Sequence, residues 1–441
     1  MKERRSKIRV CIYLLTIFLT VSITFLPLRS FAGDMEIMLD EMVKQGVITR
    51  EQGDKMLKGM QERKAKEQEK AGAEKPKVEG KATEPDWVKN IPDWIKNPPD
   101  WVKNIKFSGD LRLRYQWEHR DTTTVDDPDR NRFRFRWRVG AETKVFDNLN
   151  VGFGLASGGG DPRSTNQTFQ DTFSKKPLTI DYAFAAYKPF DWVTLSAGKL
   201  KQTSLWYPSD LLWDTDITPE GVGIVFNQPI LPMLDVFVNT SVFILDENAK
   251  NTDPWMLAIQ PGVNFKIEKI ANLKVALAYY KLWGIKNKPK LDYSSNTNTL
   301  SGGRYVNSYN AWAPGAEISV NLPVKMVPYA SLYGEYVYNP DPSTDRQGYI
   351  AGIKFGHKDI KKFADWQAGY SYRRLERDAW PDVFPDSDFY GGATNVKGHE
   401  LFINFGLWKH LTLGLDYYHT MRIKGARAQE DLLQADIVFK F

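Results

Sequence analysis

Leu111-Arg-Leu-Arg-Tyr-Gln-Trp-Glu118, a polar break, and then Arg132-Phe-Arg-Phe-Arg-Trp-Arg-Val139 alternate with period two. One face carries Leu111, Leu113, Tyr115 and Trp117, then Phe133, Phe135, Trp137 and Val139. The other carries Arg112, Arg114, Gln116 and Glu118, then Arg132, Arg134, Arg136 and Arg138. Period two means β-strand. In a soluble sandwich the arginine face meets solvent and the aromatic face forms the core. In a membrane barrel the aromatic face meets lipid and the arginines line a wet lumen. Four arginines turned toward lipid near the midplane would cost roughly 2–4 kcal/mol each. In a barrel they therefore point inward.

Working outward from this hairpin, residues 105 to 441 read as strands only. Sixteen are expected: 105–118, 131–145, 149–157, 178–188, 192–199, 220–227, 234–245, 255–267, 272–283, 311–321, 325–338, 347–357, 364–375, 397–407, 411–421 and 428–441. Most can cross a hydrocarbon layer when tilted, which takes roughly 9–11 residues. Their connections are sorted. Phe146–Asn148, Pro189–Asp191, Glu268–Ala271, Leu322–Val324 and Trp408–His410 are short, whereas 158–177, 200–219, 284–310 and 376–396 are long. Short and long connections thus fall at opposite ends, the pattern of short periplasmic turns and long external loops. The expected fold is all-β: a 16-stranded antiparallel transmembrane barrel with an N-terminal periplasmic α-helical extension. The last strand alternates through Leu433, Ala435, Ile437 and Phe439 and stops on Phe441, a terminal aromatic of the kind presented to barrel-assembly machinery.

The N-terminus reads differently. Lys2, Arg4, Arg5, Lys7 and Arg9 precede the apolar run Val10–Leu26, and Ser30-Phe31-Ala32 supplies small residues at −3 and −1. This predicts a secretory signal over 1–32 cleaved after Ala32, with an uncleaved anchor helix as the alternative. Cys11 is the chain's one cysteine and lies inside the signal, so the mature chain holds no thiol, disulfide or Cys-ligated metal. The signal carries six Lys/Arg and one Glu, so a formal charge of +6 falls to near +1 after cleavage. The basic balance is no argument for nucleic acid. Residues 33–71 predict a helical hairpin or short coiled coil, with Thr49-Arg-Glu-Gln52 as a capping box. A binding module is the sharper alternative there. Residues 72–104 predict a linker holding three PDWxKN repeats of period seven, which set Trp87, Trp94 and Trp101 in register. Proline at each repeat start favours short turns over one long helix. These tryptophans read either as a headgroup-layer surface or as a rigid spacer.

The connection 200–219 is both apolar and acidic. Leu205, Trp206, Leu211, Leu212 and Trp213 accompany Asp210, Asp214 and Asp216, and Glu220 follows. Such a loop is expected to fold into the lumen, where its acids face the wall arginines across a narrow waist and set up a transverse field. The alternative is a loop that caps the barrel or packs on a neighbour. Asp214 and Asp216 have no paired histidine nearby and read as surface carboxylates, so no metal and no cofactor is expected. His119, His357, His399, His410 and His419 are scattered. A membrane phospholipase needs a hydroxyl and a histidine together on the lipid face, and His419-Thr420 is the nearest approach. The chain is not read as an enzyme.

Phe107-Ser-Gly-Asp-Leu-Arg-Leu-Arg-Tyr-Gln116, Trp213-Asp-Thr-Asp-Ile-Thr-Pro-Glu-Gly-Val222 and the terminal Phe441 resemble the bacterial "putative porin" family over residues 105–441. The arginine wall and N-terminal extension are similar, more distantly, to phosphate-selective porins, though no phosphate-binding motif matches and no phosphate ligands carry over. The resemblance implies a trimeric outer-membrane channel passing small hydrophilic solutes. The basic first hairpin adds the expectation of an anion preference. Expected partners are outer-membrane lipid, solutes, two further copies and, through Phe441, the assembly machinery. A structural anchor, whose N-terminal region tethers periplasmic partners, is the alternative from another class.

Overall fold

The computed structural model describes residues 98–122, 128–249 and 252–441, together with Arg50 and Lys58. The expected signal, the helical hairpin, the linker and Trp87 and Trp94 of the repeats lie outside the described residues. In the third repeat Asp100–Lys103 forms a single helical turn, α1, entered through Pro99. Its Trp101 carbonyl accepts a hydrogen bond from the Thr143 hydroxyl, and the indole is exposed.

Sixteen long strands follow: β1 Lys106–Thr122, β2 Arg130–Phe146, β3 Leu149–Ser157, β4 Leu178–Phe190, β5 Val193–Lys199, β6 Glu220–Leu231, β7 Leu234–Ile244 and β8 Trp255–Ile267. Then come β9 Ala271–Trp283, β10 Trp312–Asn321, β11 Tyr329–Tyr338, β12 Gln347–Gly356, β13 Trp366–Leu375, β14 Val396–Trp408, β15 Leu411–Arg422 and β16 Ala428–Lys440. Each pairs antiparallel with its sequence neighbour. β16 pairs with β1, from Asp110 opposite Lys440 to Thr122 opposite Ala428, and closes the ring. Phe441 completes the seam by exchanging backbone hydrogen bonds with Gly109 at 2.9 and 3.0 Å. Closure leaves no edge strand, which a lipid environment requires.

The outer surface is apolar. Ile180, Val222, Ile259, Leu277, Ile318, Leu332, Ile353 and Ile403 are all exposed. A contiguous band of this kind is anomalous in water and suited to hydrocarbon. Aromatic residues rim it. Trp255 and Trp283 stand opposite each other toward the long-loop end, and Phe190 stacks on Trp192 at the short-turn end with ring centroids 5.1 Å apart. Such girdles mark the two interfaces.

Boundaries differ from expectation in one instructive place. The strand expected from Lys325 begins at Tyr329, and Leu322 to Pro328 form a turn. Pro328 has no N–H to give the ladder, so pairing starts one residue later. The core lies inside the barrel at its long-loop end. Leu205, Leu211, Leu212 and Trp213 pack with Phe243 and Tyr280 of the wall, with Tyr305 and Tyr309, and with Trp380, Val383 and Phe384. Three loops, 200–219, 284–311 and 376–395, thus build a dry cluster within the ring.

Candidate functional site

The alternation of β1 and β2 sets every arginine of the first hairpin on the inner face. Register places Arg112 opposite Arg136, Arg114 opposite Arg134, and Asp110 opposite Arg138. Like charges directly opposed are unfavourable, so carboxylates must enter from elsewhere. Asp110 of β1 takes Arg136 Nε at 3.0 Å and Arg138 Nε at 2.8 Å. Asp436 of β16 takes Arg114 in a two-point contact, 2.7 Å from Nε and 2.8 Å from Nη2. Glu118 takes Arg132 Nη2 at 2.6 Å and shares Arg120 at 3.0 Å. Bidentate pairing of this kind fixes both position and angle.

Loops supply the remaining acids. Gly198 and Gly221 stand opposite each other at the root of the third loop, residues 200–219, with φ of 115° and 152°. A Cβ at either would strike a neighbouring carbonyl, 2.4 Å away at Gly198 and 2.1 Å at Gly221. Only glycine lets the chain turn inward there. Inside, Trp213 is 2 % exposed and packs on Phe243, Trp380 and Phe384 with centroids 5.7, 6.2 and 5.0 Å apart. Gln260 of β8 binds the Trp206 backbone, accepting from its N–H at 2.8 Å and donating to its carbonyl. Asp216 then lies 3.6 Å from Arg136 Nη1 and 3.4 Å from Arg138 Nη1.

The seventh loop, residues 376–395, approaches from the other side. Asp388 reaches Arg114 Nη1 at 3.1 Å. Asp386 joins Asp210 on Arg373 of β13, at 3.1 and 2.8 Å. Trp380 Nε1 donates to the Leu212 carbonyl at 2.8 Å and locks the two loops together.

The four acids expected in the third loop therefore have different fates. Asp216 meets two arginines of the first hairpin. Asp210 meets an arginine, but it is Arg373, which the sequence reading did not single out. Asp214 meets none and is not a surface carboxylate. It is 5 % exposed and accepts the backbone N–H groups of Asp216 at 2.9 Å and Ser387 at 2.7 Å. A side chain two residues from a turn amide is positioned to cap that turn. Glu220 opens β6 and pairs with Lys199 at 3.0 Å on an exposed surface. Asp110, Asp436, Asp386 and Asp388 were missed. The first two could have been found from strand parity alone, since each shares the inner face with the arginines.

Burial raises Asp214 to about 8, reinforced by the charge of Asp216, against its two amide donors. Burial and the Asp210 charge also push Asp386 well above the usual carboxylate range. Burial acts the same way on Asp388, but the Arg114 and Arg112 guanidinium groups outweigh it and hold the carboxyl down to about 2.

Open space lies toward the short-turn end. A cavity of about 980 Å³ is lined by Arg136, Arg138, Lys201, Lys358, Lys361 and Lys440, with Asp110, Asp181, Asp216 and Asp359. The pair considered for catalysis is separated. His419 bonds Asp431 on the outer face at 2.6 Å, whereas Thr420 is fully buried and donates to the Glu430 carbonyl. Successive strand residues face opposite sides, so the two cannot act on one substrate.

The family described as "putative porin" matches residues 119–312 and 330–441 of this chain. None of the curated proteins compared matches it. Among solved structures, OprB of Pseudomonas putida is 12% identical over 81% of this chain and 97% of its own, with a TM-score of 0.51. The outer membrane channel DcaP of Acinetobacter baumannii is 12% identical, covering 76% and 97%, with a TM-score of 0.43. A porin of Rhodopseudomonas blastica is 11% identical, covering 76% and 100%, with a TM-score of 0.42. At that identity the likeness to OprB is one of fold.

Proposed function

This chain belongs to the "putative porin" family, and from that premise we propose that its outer-membrane channel passes small hydrophilic solutes by passive diffusion with a preference for anions. The observation that carries the preference is the charge balance on the inner face of the first hairpin. Arg112, Arg114, Arg132, Arg134, Arg136 and Arg138 line one side, and the carboxylates within ion-pair range are Asp110, Glu118, Asp216, Asp388 and Asp436. Six cations meet five anions, and Glu118 is shared with Arg120. The large cavity adds Lys201, Lys358, Lys361 and Lys440 against Asp181 and Asp359. A low-dielectric passage lined by an excess of one sign concentrates the opposite ion. Subunits are proposed to assemble as trimers, and Phe441 to be presented to the assembly machinery.

The test is a reversal potential across a planar bilayer under a potassium chloride gradient. An anion-selective sign is expected. A cation-selective sign refutes the preference, whatever the conductance.

A further inference from the structure

The inner-wall arginines are unequally served. Arg114 donates three charged hydrogen bonds, two to Asp436 and one to Asp388. Arg136 and Arg138 share Asp110 and Asp216. Arg112 stands level with Arg136 and Arg134 level with Arg114, which makes Arg112 and Arg134 diagonal neighbours across the hairpin. Arg134 has no carboxylate in contact among the described residues, and its hydrogen bond goes to Gln116 Oε1 at 3.1 Å. Arg112 bonds Asn166 Oδ1 at 2.7 Å. Its nearest acid oxygen is Asp436 Oδ2 at 3.6 Å, which already accepts from Arg114. The Nε atoms of Arg112, Arg134 and neighbouring Arg132 are buried without a hydrogen-bond partner among the described residues. The hairpin's other inner arginines, Arg114, Arg132, Arg136 and Arg138, each have a carboxylate at hydrogen-bond distance. At Arg134 and Arg112 the hydrogen-bond acceptors are amides, Gln116 and Asn166, which satisfy donors without cancelling charge.

A guanidinium presents five donors in a rigid fork and cannot shed its proton. Leaving such groups desolvated without an anionic acceptor is costly. Diagonal neighbours on a sheet stand roughly 7–8 Å apart at the backbone, within joint reach of one small ligand by side chains of this length. The ligand that fits two forks is an ion with at least two acidic oxygens.

We propose that Arg112 and Arg134, with Arg132 beside them, form a saturable binding site for a small oxyanion, a phosphate or a carboxylate, held part-way along the lumen. The site rests on the anion-conducting reading and goes beyond it, because a charged wall alone predicts selectivity without saturation. Solutes carrying such groups bind, pause and leave, and chloride passes by.

The experiment uses the full chain in planar bilayers in potassium chloride, titrated separately with inorganic phosphate and with succinate. Chloride current is expected to fall with added oxyanion along a saturating curve. R134Q raises the half-saturating concentration at least about tenfold, the loss expected for a charged hydrogen-bond pair. R304Q, at an exposed arginine of loop 284–311, leaves that concentration unchanged. Block by phosphate alone, by succinate alone or by both supports the site and identifies its source. No saturable block by either probe overturns it, as does block that R134Q fails to shift. Anion selectivity without saturation refutes the site and spares the anion-conducting reading. A cation-selective channel refutes that reading, and calorimetric titration of phosphate and succinate into the detergent-solubilised chain and R134Q then decides the site separately. Heat sensitive to Arg134 supports it, and absence of such heat overturns it.

Discussion

Replacing Trp213 with alanine tests whether the third loop is what narrows the lumen. Trp213 is 2 % exposed and touches rings from two wall strands and the seventh loop. Its Nε1 donates to the Tyr280 hydroxyl at 3.3 Å. Truncating a buried tryptophan costs roughly 3–5 kcal/mol. That cost spares the hydrogen-bonded ladder of β1 to β16, which does not include residue 213. It falls on loop docking, so the ratio of docked to undocked loop drops by roughly 10²- to 10³-fold at about 1.4 kcal/mol per decade. Single-channel recording of W213A is expected to show a larger and noisier conductance, with the barrel still folded by heat-dependent gel mobility. Trp408→Ala, at the exposed outer face, serves as the comparison and leaves conductance unchanged. If W213A conducts as the parent does, with the same noise, then the docked loop is not the resistance and the waist lies elsewhere.

Asp216→Asn removes the acid that faces both Arg136 and Arg138, so the reversal potential is expected to move toward stronger anion selectivity. An unmoved potential places that pair away from the ion path. The pH dependence of loop docking has two opposed parts. Asp388, lowered to about 2, contributes fully above the ordinary carboxylate value and is lost only as pH falls through 2. Asp214, raised to about 8, contributes fully below the ordinary value and is lost as pH rises through 8. Current noise is therefore expected to be least near the ordinary carboxylate value, to grow as pH rises from there toward 8, and to grow again as pH falls toward 2. D214N abolishes the growth on the alkaline side, and noise that stays level up to pH 8 contradicts the assignment. Deleting residues 33–97 separates channel from tether. Conductance retained with the envelope intact favours the channel, and an envelope defect with conductance retained favours the anchor.

The barrel was legible because its two signals are local. Period-two alternation is written within each strand, and the sorting of connections needs only their lengths. Lys325 to Val327 misled because Val324, Met326 and Pro328 imitate the apolar parity of a strand, while the backbone there lacks the donor that pairing needs. The inward course of the third loop was legible too, from apolar residues that exposed loops avoid. The seventh loop carries the same signal in Trp380, Val383, Phe384 and Phe389, all buried, beside Asp382, Asp386 and Asp388. It was passed over as length alone. The pairing of particular acids with particular arginines was not legible. Arg114 and Asp436 are 322 residues apart, and no local pattern connects them before the ring closes.

That separation explains why the arginine wall and the loops depend on one another. An arginine face on two adjacent strands is a stack of like charges that the hairpin cannot relieve from within, apart from Asp110 and Glu118. Closing the ring brings Asp436 from the last strand, and folding the loops inward brings Asp216 and Asp388. Each acid both neutralises one step and holds its own segment against the wall, so truncating one such partner strands the other charge. The same logic locates function. Where closure and loop folding bring a carboxylate to hydrogen-bond distance, the wall is structural, and at Arg112 and Arg134, whose hydrogen bonds go to the amides Asn166 and Gln116, the remaining charge is left for a solute.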